Sequence, residues 1–438
     1  MVRGKRWTRT ILALVAGVAL IAAACNGEQA PTEEEAPAAD LTGQTVEVAA
    51  VWTGTEQESF EQVLAAFAEQ TGATTQFTST GDDIATVLGT RVEGGDPPDV
   101  AILPQPGLMS DLVDQEALIP IEEVAGDEVD ANYSASWRQL GSVEDTLYGV
   151  WFKGANKSTV WYNTHVFENA GVSAPEDWDG MLTTAQTVSD SGVTPWSIGG
   201  ADGWTLTDWF ENVYLRTAGP EMYDQLTTHE IPWDDQSVKD ALTTLGAVFE
   251  DKGMIAGDPL QTDFPTSVAN VFASPDSPDA GIVYEGDFVA GVISGETDST
   301  VGEDADFFNF PAIDGSPPAV VGGGDVAVLM KDTDAGKALM EFLASPEAGN
   351  VWAGLGGFSS PNQNVDLSVY PDDITRRSAE ALATAESFRF DMSDLQPAEF
   401  GGTVGQGMFK LFQDFLADPS EVDAITAELE EAAAAAFG

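Results

Sequence analysis

Apolar positions along this chain follow two alternating rhythms. Residues 44–51 (QTVEVAAV) alternate loosely, as in a strand. Residues 55–70 then carry Phe60, Val63, Leu64 and Phe67 at helical spacing, and Gly72 closes the segment. The pair repeats with a strand at 74–80 and a helix at 84–93. A Gly94-Gly95-Asp96-Pro97-Pro98 turn follows, then a short buried strand at 99–103. Such repetition predicts a parallel sheet flanked by helices. Open sheets of this kind bind ligands beyond the carboxyl ends of their strands. Residues 52–56, 80–83 and 104–107 are therefore the first places to look for a site.

From 157 to 310 the pattern is mostly helical, with helices expected at 237–252 and 267–272 and a strand at 282–285. Residues 319–330 read as a strand pair split by Gly322-Gly323-Gly324, and 333–343 and 346–354 as helices. The C-terminal stretch reads as helical again and ends Ala-rich. No repeat of fixed period is visible. Roughly 395 residues follow position 42, too many for one core, so two domains are expected.

The N-terminus has its own logic. Arg3, Lys5, Arg6 and Arg9 precede an apolar run, residues 11–24, that closes in Ala22-Ala23-Ala24-Cys25. A basic start, a short apolar core and small residues before a cleavage point make a secretory signal over 1–24. The run is shorter than the roughly 20 residues a membrane span needs. Cys25 is the only cysteine, and its setting resembles a bacterial lipoprotein site, with the thiol acylated and the chain cut in front of it. The usual Leu or Val three residues earlier is Ala22 here. Residues 25–43, rich in Glu, Ala and Pro, have little to bury and are expected to form a disordered tether. The expectation is an exported domain, lipid-anchored to the outer face of the cell membrane.

Charge narrows the partners. The chain has 73 acids, 17 Lys and Arg, and a net charge of −56. Nucleic acid is excluded as a natural partner, because phosphate would be repelled. An anionic bilayer would repel the domain too, so membrane attachment falls to the lipid alone. The two histidines, His165 and His229, lack metal-ligand spacing, and no Asp-x-Asp-x-Asp-Gly calcium loop occurs. Neither a Gly-x-Ser-x-Gly elbow nor a Gly-x-x-x-x-Gly-Lys phosphate loop is present. No metal and no cofactor are expected.

Several motifs in order resemble one family, the extracellular solute-binding proteins of ABC importers, of the maltose-binding-protein type. Val51-Trp52-Thr53-Gly54 and Phe67-Ala68-Glu69-Gln70-Thr71-Gly72 resemble its opening strand and helix. Gly95-Asp96-Pro97-Pro98-Asp99-Val100 resembles its Pro-Asp-Val turn, and Trp161-Tyr162-Asn163 the strand after the first crossover. Gly286-Asp287-Phe288, Gly323-Gly324 and Ala344-Ser345-Pro346-Glu347-Ala348 resemble later elements in the right order. Residues 204–223 look closest to the α-glucoside-binding branch. The resemblance implies an α/β, two-lobed periplasmic-binding-protein-like fold of type II. Each lobe would be a sheet flanked by helices, joined by crossover hinge strands. Lobe one would take 44–153 and 312–352, and lobe two 154–311 and the C-terminal helices 353–438. It further implies a monomeric receptor that captures a carbohydrate, an α-glucoside or oligosaccharide, and delivers it to the permease's transmembrane subunits.

Sugars stack their C–H faces on aromatic rings and exchange hydrogen bonds with planar polar groups. Trp52 and Glu56, Asp82, and Gln105 follow the first three strands and fit those roles. Lys153 flanks the first crossover beside Trp151. Trp204, Asp208 and Trp209 open a candidate helix; Glu285, Asp287 and Phe288 follow a strand; Gly324 and Asp325 lie in the glycine run. Each has a bland alternative: tryptophans serve cores more often than sites, and Asp82 and Asp83 could cap the helix at Ile84. Trp178 and Trp233 read as structural, and Arg389 and Arg138 as partners of structural acids. Aromatic clefts with carboxylates also describe glycoside hydrolases, so an extracellular glycan-acting enzyme is the competing reading. A surface adhesion or sensing module is the other.

Self-repulsion on so acidic a chain should be relieved by screening. The melting temperature should rise between low and high salt, and a flat or falling value would count against an acid-destabilised fold.

Overall fold

Strand alternation and helix phase build three clusters of core. A computed structural model describes residues 40–384 and 387–438. The signal 1–24, Cys25 and most of the tether therefore lie outside the described residues. β1 (Thr45–Ala50), β2 (Thr74–Ser79) and β3 (Val100–Leu103) run parallel in the order β2-β1-β3. The helix Gly54–Thr71 buries Phe60, Val63, Leu64 and Phe67 against them and ends at Gly72, whose φ of 75° only glycine adopts cheaply. The helix Ile84–Glu93 falls where the sequence pattern put it.

A two-stranded ribbon, β4 (Ser142–Val143) and β5 (Thr146–Leu147), leads into β6 (Gly149–Asn156), buried throughout. β7 (Thr159–Asn163), β8 (Thr194–Ser197), β9 (Ala280–Glu285) and β10 (Ala305–Asn309) form a second sheet, ordered β10-β7-β9-β8. Its two faces separate by the period of two. Val160, Ile282, Tyr284 and Phe308 join one core with the helix Trp204–Thr217 and the C-terminal helices Gly407–Ala417 and Val422–Phe437. Trp161, Val283 and Phe307 join another with the helices Phe264–Phe272 and Val289–Glu296.

β11 (Val320–Leu329) and β12 (Phe388–Phe390) return to the first sheet. β11 pairs antiparallel with β6 along its length, and on its other side with β12 at Val320–Gly322 and β3 at Val326–Leu329. The two lobes are thus joined by crossover strands. The expected strand pair split by glycines is instead one continuous strand with a bulge between Asp325 and Val326. The glycines serve close approach rather than a turn. A Cβ at Gly324 would lie 2.4 Å from the Lys153 carbonyl oxygen, and one at Gly323 would lie 2.8 Å from the Lys157 side chain. The chain also stays in the first lobe beyond residue 352, since Phe358 and Val365 pack in the first core.

Among the described residues no helix is long and apolar enough to cross a membrane. Trp178 and Trp233 are buried in the second core, as the sequence suggested. Trp209 joins them: it is 1% exposed and packs on Tyr284 at 4.4 Å and Trp196 at 5.9 Å. Trp209→Ala should cost about 3–5 kcal/mol of stability, measured by denaturant unfolding. A loss well under 1 kcal/mol would contradict this core placement.

Candidate functional site

The loops after the strands of the first sheet meet the second lobe around a cavity of about 320 Å³. From the first sheet come Trp52, Thr53 and Glu56 after β1, Gly81 and Asp82 after β2, and Pro104 and Gln105 after β3. The crossover strands add Lys153, Gly324 and Asp325, and the second lobe adds Trp204 and Phe288. These are the sequence-derived candidates that the fold brings together. Asp82 and Asp83 make no side-chain cap to the helix at Ile84, so that alternative fails.

Two ammonium groups organise the wall. Lys153 donates to Glu56, lies 4.0 Å from Asp325, and sits 5.2–5.7 Å from the ring centroids of Trp352, Phe288 and Trp52. Desolvation alone would lower its pKa, but Glu56 and Asp325 raise it. Lys157 lies 5.8 Å from the Trp204 ring centroid and pairs with Asp391, with Asp208 at 3.3 Å and with Asp394 at 3.6 Å. Against desolvation, Asp208, Asp391 and Asp394 hold it charged, with its pKa well above the lysine value.

Asp208, Trp209, Glu285 and Asp287 lie behind this wall rather than on it. Helix phase explains the first two: Trp204 opens the helix at the cavity, while Asp208 sits one turn deeper on the same side and is fully buried. Trp209, one position on, points into the second core. Asp287 accepts from Ser359 Oγ at 2.5 Å and Ser378 Oγ at 3.4 Å, a structural tie. Glu285 is 1% exposed. Desolvation drives its pKa well above the carboxylate range.

Sequence reasoning missed Lys157, Asp202, Asp263, Phe264, Glu296 and Asp394, all on the cavity wall. Lys157 had a signal, being one of few bases and lying just beyond Lys153. Asp202 and Asp263 come from separate loops and meet only in the fold. Phe264 N donates to Asp202 Oδ2 at 2.6 Å, and Asp263 caps the helix Phe264–Phe272 through Thr266 N at 2.9 Å. Trp204, Phe264 and Phe288 pack together at centroid distances of 5.3–6.0 Å, giving the second lobe an aromatic wall. Arg389 and Arg138 are structural, forked to Asp224 and paired with Glu122 and Asp130.

For a metal, the described residues offer one cluster of carboxylate oxygens within 4.8 Å of each other, from Asp208, Glu211 and Asp391. Their lone pairs are largely engaged. Glu211 accepts from Met392 N, Ser393 N and Tyr223 Oη, and Asp391 from Lys157, Ser393 Oγ and Asp394 N. Lys157 already pairs with two of the three, Asp208 and Asp391.

A ligand cavity walled by two α/β lobes on crossover strands defines a hinged solute receptor. A model of the bacterial extracellular solute-binding protein family matches residues 52–350, and the chain belongs to that family. It is 36% identical over 401 residues to the osmoprotective compounds-binding protein GgtB of Synechocystis, covering 89% of this chain and 91% of that one. It is 34% identical over 414 residues to the alpha-glucosides-binding periplasmic protein AglE of Rhizobium meliloti, covering 90% and 88%. Its fold matches the solute receptor AcbH with a TM-score of 0.79 at 19% identity, over 90% of this chain and all of that one. RafE in complex with raffinose matches at 0.72 and 16% identity, over 89% and 99%.

The acids around the cavity predict a pH dependence. Desolvation, then the charges of Asp82 and Asp263, push Asp202 up to about 7 against the hydrogen bond from Phe264 N. Desolvation likewise lifts Asp325 and Asp287 to about 6, opposed by Lys153 and by Ser359 respectively. A carboxyl whose folded pKa exceeds the ordinary aspartate value of 3.8 takes up a proton on folding. Its contribution is full below the unfolded pKa and is lost as pH rises through the folded one. Stability should therefore fall between about pH 4 and about pH 7, with Asp202→Asn flattening the decline. A melting temperature that climbs over that range would contradict these assignments.

Proposed function

We propose that this chain is the ligand-capturing subunit of an ABC importer, taking a small neutral carbohydrate, an α-glucoside first, between its lobes. The observation that carries the reading is the composition of the cavity wall. Trp204, Phe264 and Phe288 give apolar faces, while Glu56, Asp82, Asp263 and Asp325 give acceptors. Lys153 and Lys157 are already held by carboxylates. Acceptors outnumber free donors, so the solute must bring its own donors, as hydroxyls do. Anionic sugars would meet repulsion on nearly every side. The cavity lies near the lower end of the roughly 300–1,000 Å³ usual for small-molecule sites, which suits a short saccharide. The α-glucoside and osmoprotectant specificities of the relatives support the same choice.

Binding would work by population shift: open lobes sample the solute, the sugar bridges both walls, and the closed form docks on the permease. In this reading no bond of the solute is broken. Cys25 would carry the lipid that holds a monomeric receptor at the outer face of the membrane. No nucleic acid, metal or cofactor takes part. The hydrolase reading requires two carboxylates set across one glycosidic bond. Most acids of this wall are tied instead: Glu56, Asp325 and Asp394 face lysines, Asp263 caps a helix and Asp202 takes the Phe264 N–H.

The test is a thermal-shift and calorimetry screen of neutral, anionic and amino sugars, with chromatography for cleavage products. A neutral α-glucoside should raise the melting temperature by several degrees without being cleaved. Trp204→Ala should weaken its binding at least about tenfold, the loss of one stacking ring, while replacing His165 or His229 leaves it intact. Cleavage of an oligosaccharide, or unaltered affinity in Trp204→Ala, would overturn the reading.

A further inference from the structure

The lobes also touch at the edge of the sugar wall, along a seam built from glycines. The helix Val289–Glu296 packs into the second lobe with Val289, Ala290, Val292 and Ile293. Gly291 and Gly295, one turn apart, meet the first lobe. A Cβ at Gly357 would sit 2.5 Å from Gly291 Cα, and a Cβ at Gly295 would sit 2.1 Å from Thr55 Oγ1. One at Gly54 would fall 2.4 Å from Glu296 Oε1. Gly54 and Gly357 have φ of 51° and 62°, the left-handed region where glycine is unstrained.

At the end of this seam Glu296 Oε1 accepts from both Thr55 N and Thr55 Oγ1 at 3.3 Å. Thr55 lies in the first turn of the helix Gly54–Thr71, whose N-cap residue Thr53 makes no side-chain cap. The free N–H groups of that turn and the positive end of the helix dipole favour an anion. Glu296 supplies it from the other lobe. Glu296 is also the last residue of its own helix, the negative end of that dipole, where a carboxylate is disfavoured. Moving it onto the first lobe's helix N-terminus relieves one unfavourable placement and satisfies another element's free donors.

We propose that Glu296, seated on the Thr55 turn through the Gly291/Gly295 face, is an interlobe latch that biases this receptor toward its closed form and slows ligand release. The contact forms without a solute, so it would lengthen the lifetime of the closed state whichever solute is held. The effect on release rests on the binding-protein reading above; the effect on lobe closure does not.

The experiment therefore begins without ligand. X-ray scattering compares the parent with Glu296→Gln, Thr55→Val and Gly295→Ala. Thr55→Val keeps the shape and removes one donor, which guards against a misfolded Gly295→Ala. All three should show a larger radius of gyration than the parent. A Thr55→Cys/Gly295→Cys pair in a Cys25→Ser background should oxidise to an internal disulfide and give the smallest radius. The two Cβ atoms start 2.9 Å apart, so slight relaxation reaches the bridging spacing of about 3.8 Å. With a bound α-glucoside, release from Thr55→Val, which removes one donor to Glu296 away from the cavity wall, should be about two- to tenfold faster, the range for one hydrogen bond, and association unchanged. Identical radii across the set, or a cysteine pair that stays reduced under oxidant, would overturn the latch. If the radii shift as described but no sugar binds any variant, the latch stands and the carbohydrate reading falls.

Discussion

The molecule turns on one half-buried ammonium group. Lys157 sits in the short link between β6 and β7, where the chain first leaves one lobe for the other. It reaches Asp208 on the second lobe's helix and Asp391 and Asp394 just after β12, and its stem lies over Gly323 of β11. All three crossover segments therefore converge on a single side chain. Around it Asp208, Glu211, Glu285 and Asp394 are driven well above the ordinary carboxylate range, desolvation being the largest cause in each. Desolvation would raise Asp391 too, but Lys157 and its other hydrogen-bond donors hold it below that range. The charge that remains is the Lys157–Asp391 pair, and removing either member would leave the other uncompensated, at a typical cost of about 3–5 kcal/mol. The crossover geometry and the charge balance of the hinge are the same constraint.

The second ammonium group, Lys153, applies that logic to the cavity. Its strand lies in the first sheet, its ion pairs are with Glu56 and Asp325, and its nearest rings include Phe288 from the other lobe. It holds two carboxylates in place without leaving a free positive charge for an anionic solute. An acidic chain with few bases has thus placed two of them where the lobes meet, and both are neutralised. What remains open on the wall is acceptor oxygen and aromatic face, the pairing that hydroxyl-rich solutes require.

The strand–helix order, the helix at Ile84–Glu93 and the three post-strand loops were legible in the sequence, because local periodicity and turn chemistry decide them. Trp52, Glu56, Asp82 and Gln105 followed from those loops. Misreadings came where burial looks the same from either side. Trp204 and Trp209 share a helix and a polar neighbourhood, yet one faces the cavity and the other is core. Helix phase relative to a partner lobe is not written in composition. The glycine run looked like a turn because its real cause, the approach of β6, lies far away in sequence.

The sequence by itself determined an alternating α/β chain too long for one core and a strongly acidic charge balance. Tertiary structure alone decided which acids meet which bases. Lys153 and Glu56 stand 97 residues apart, Lys157 and Asp391 234, and Thr55 and Glu296 241. Local forces act over a few residues, whereas these pairs exist only after two lobes have folded and the crossover strands have brought them together.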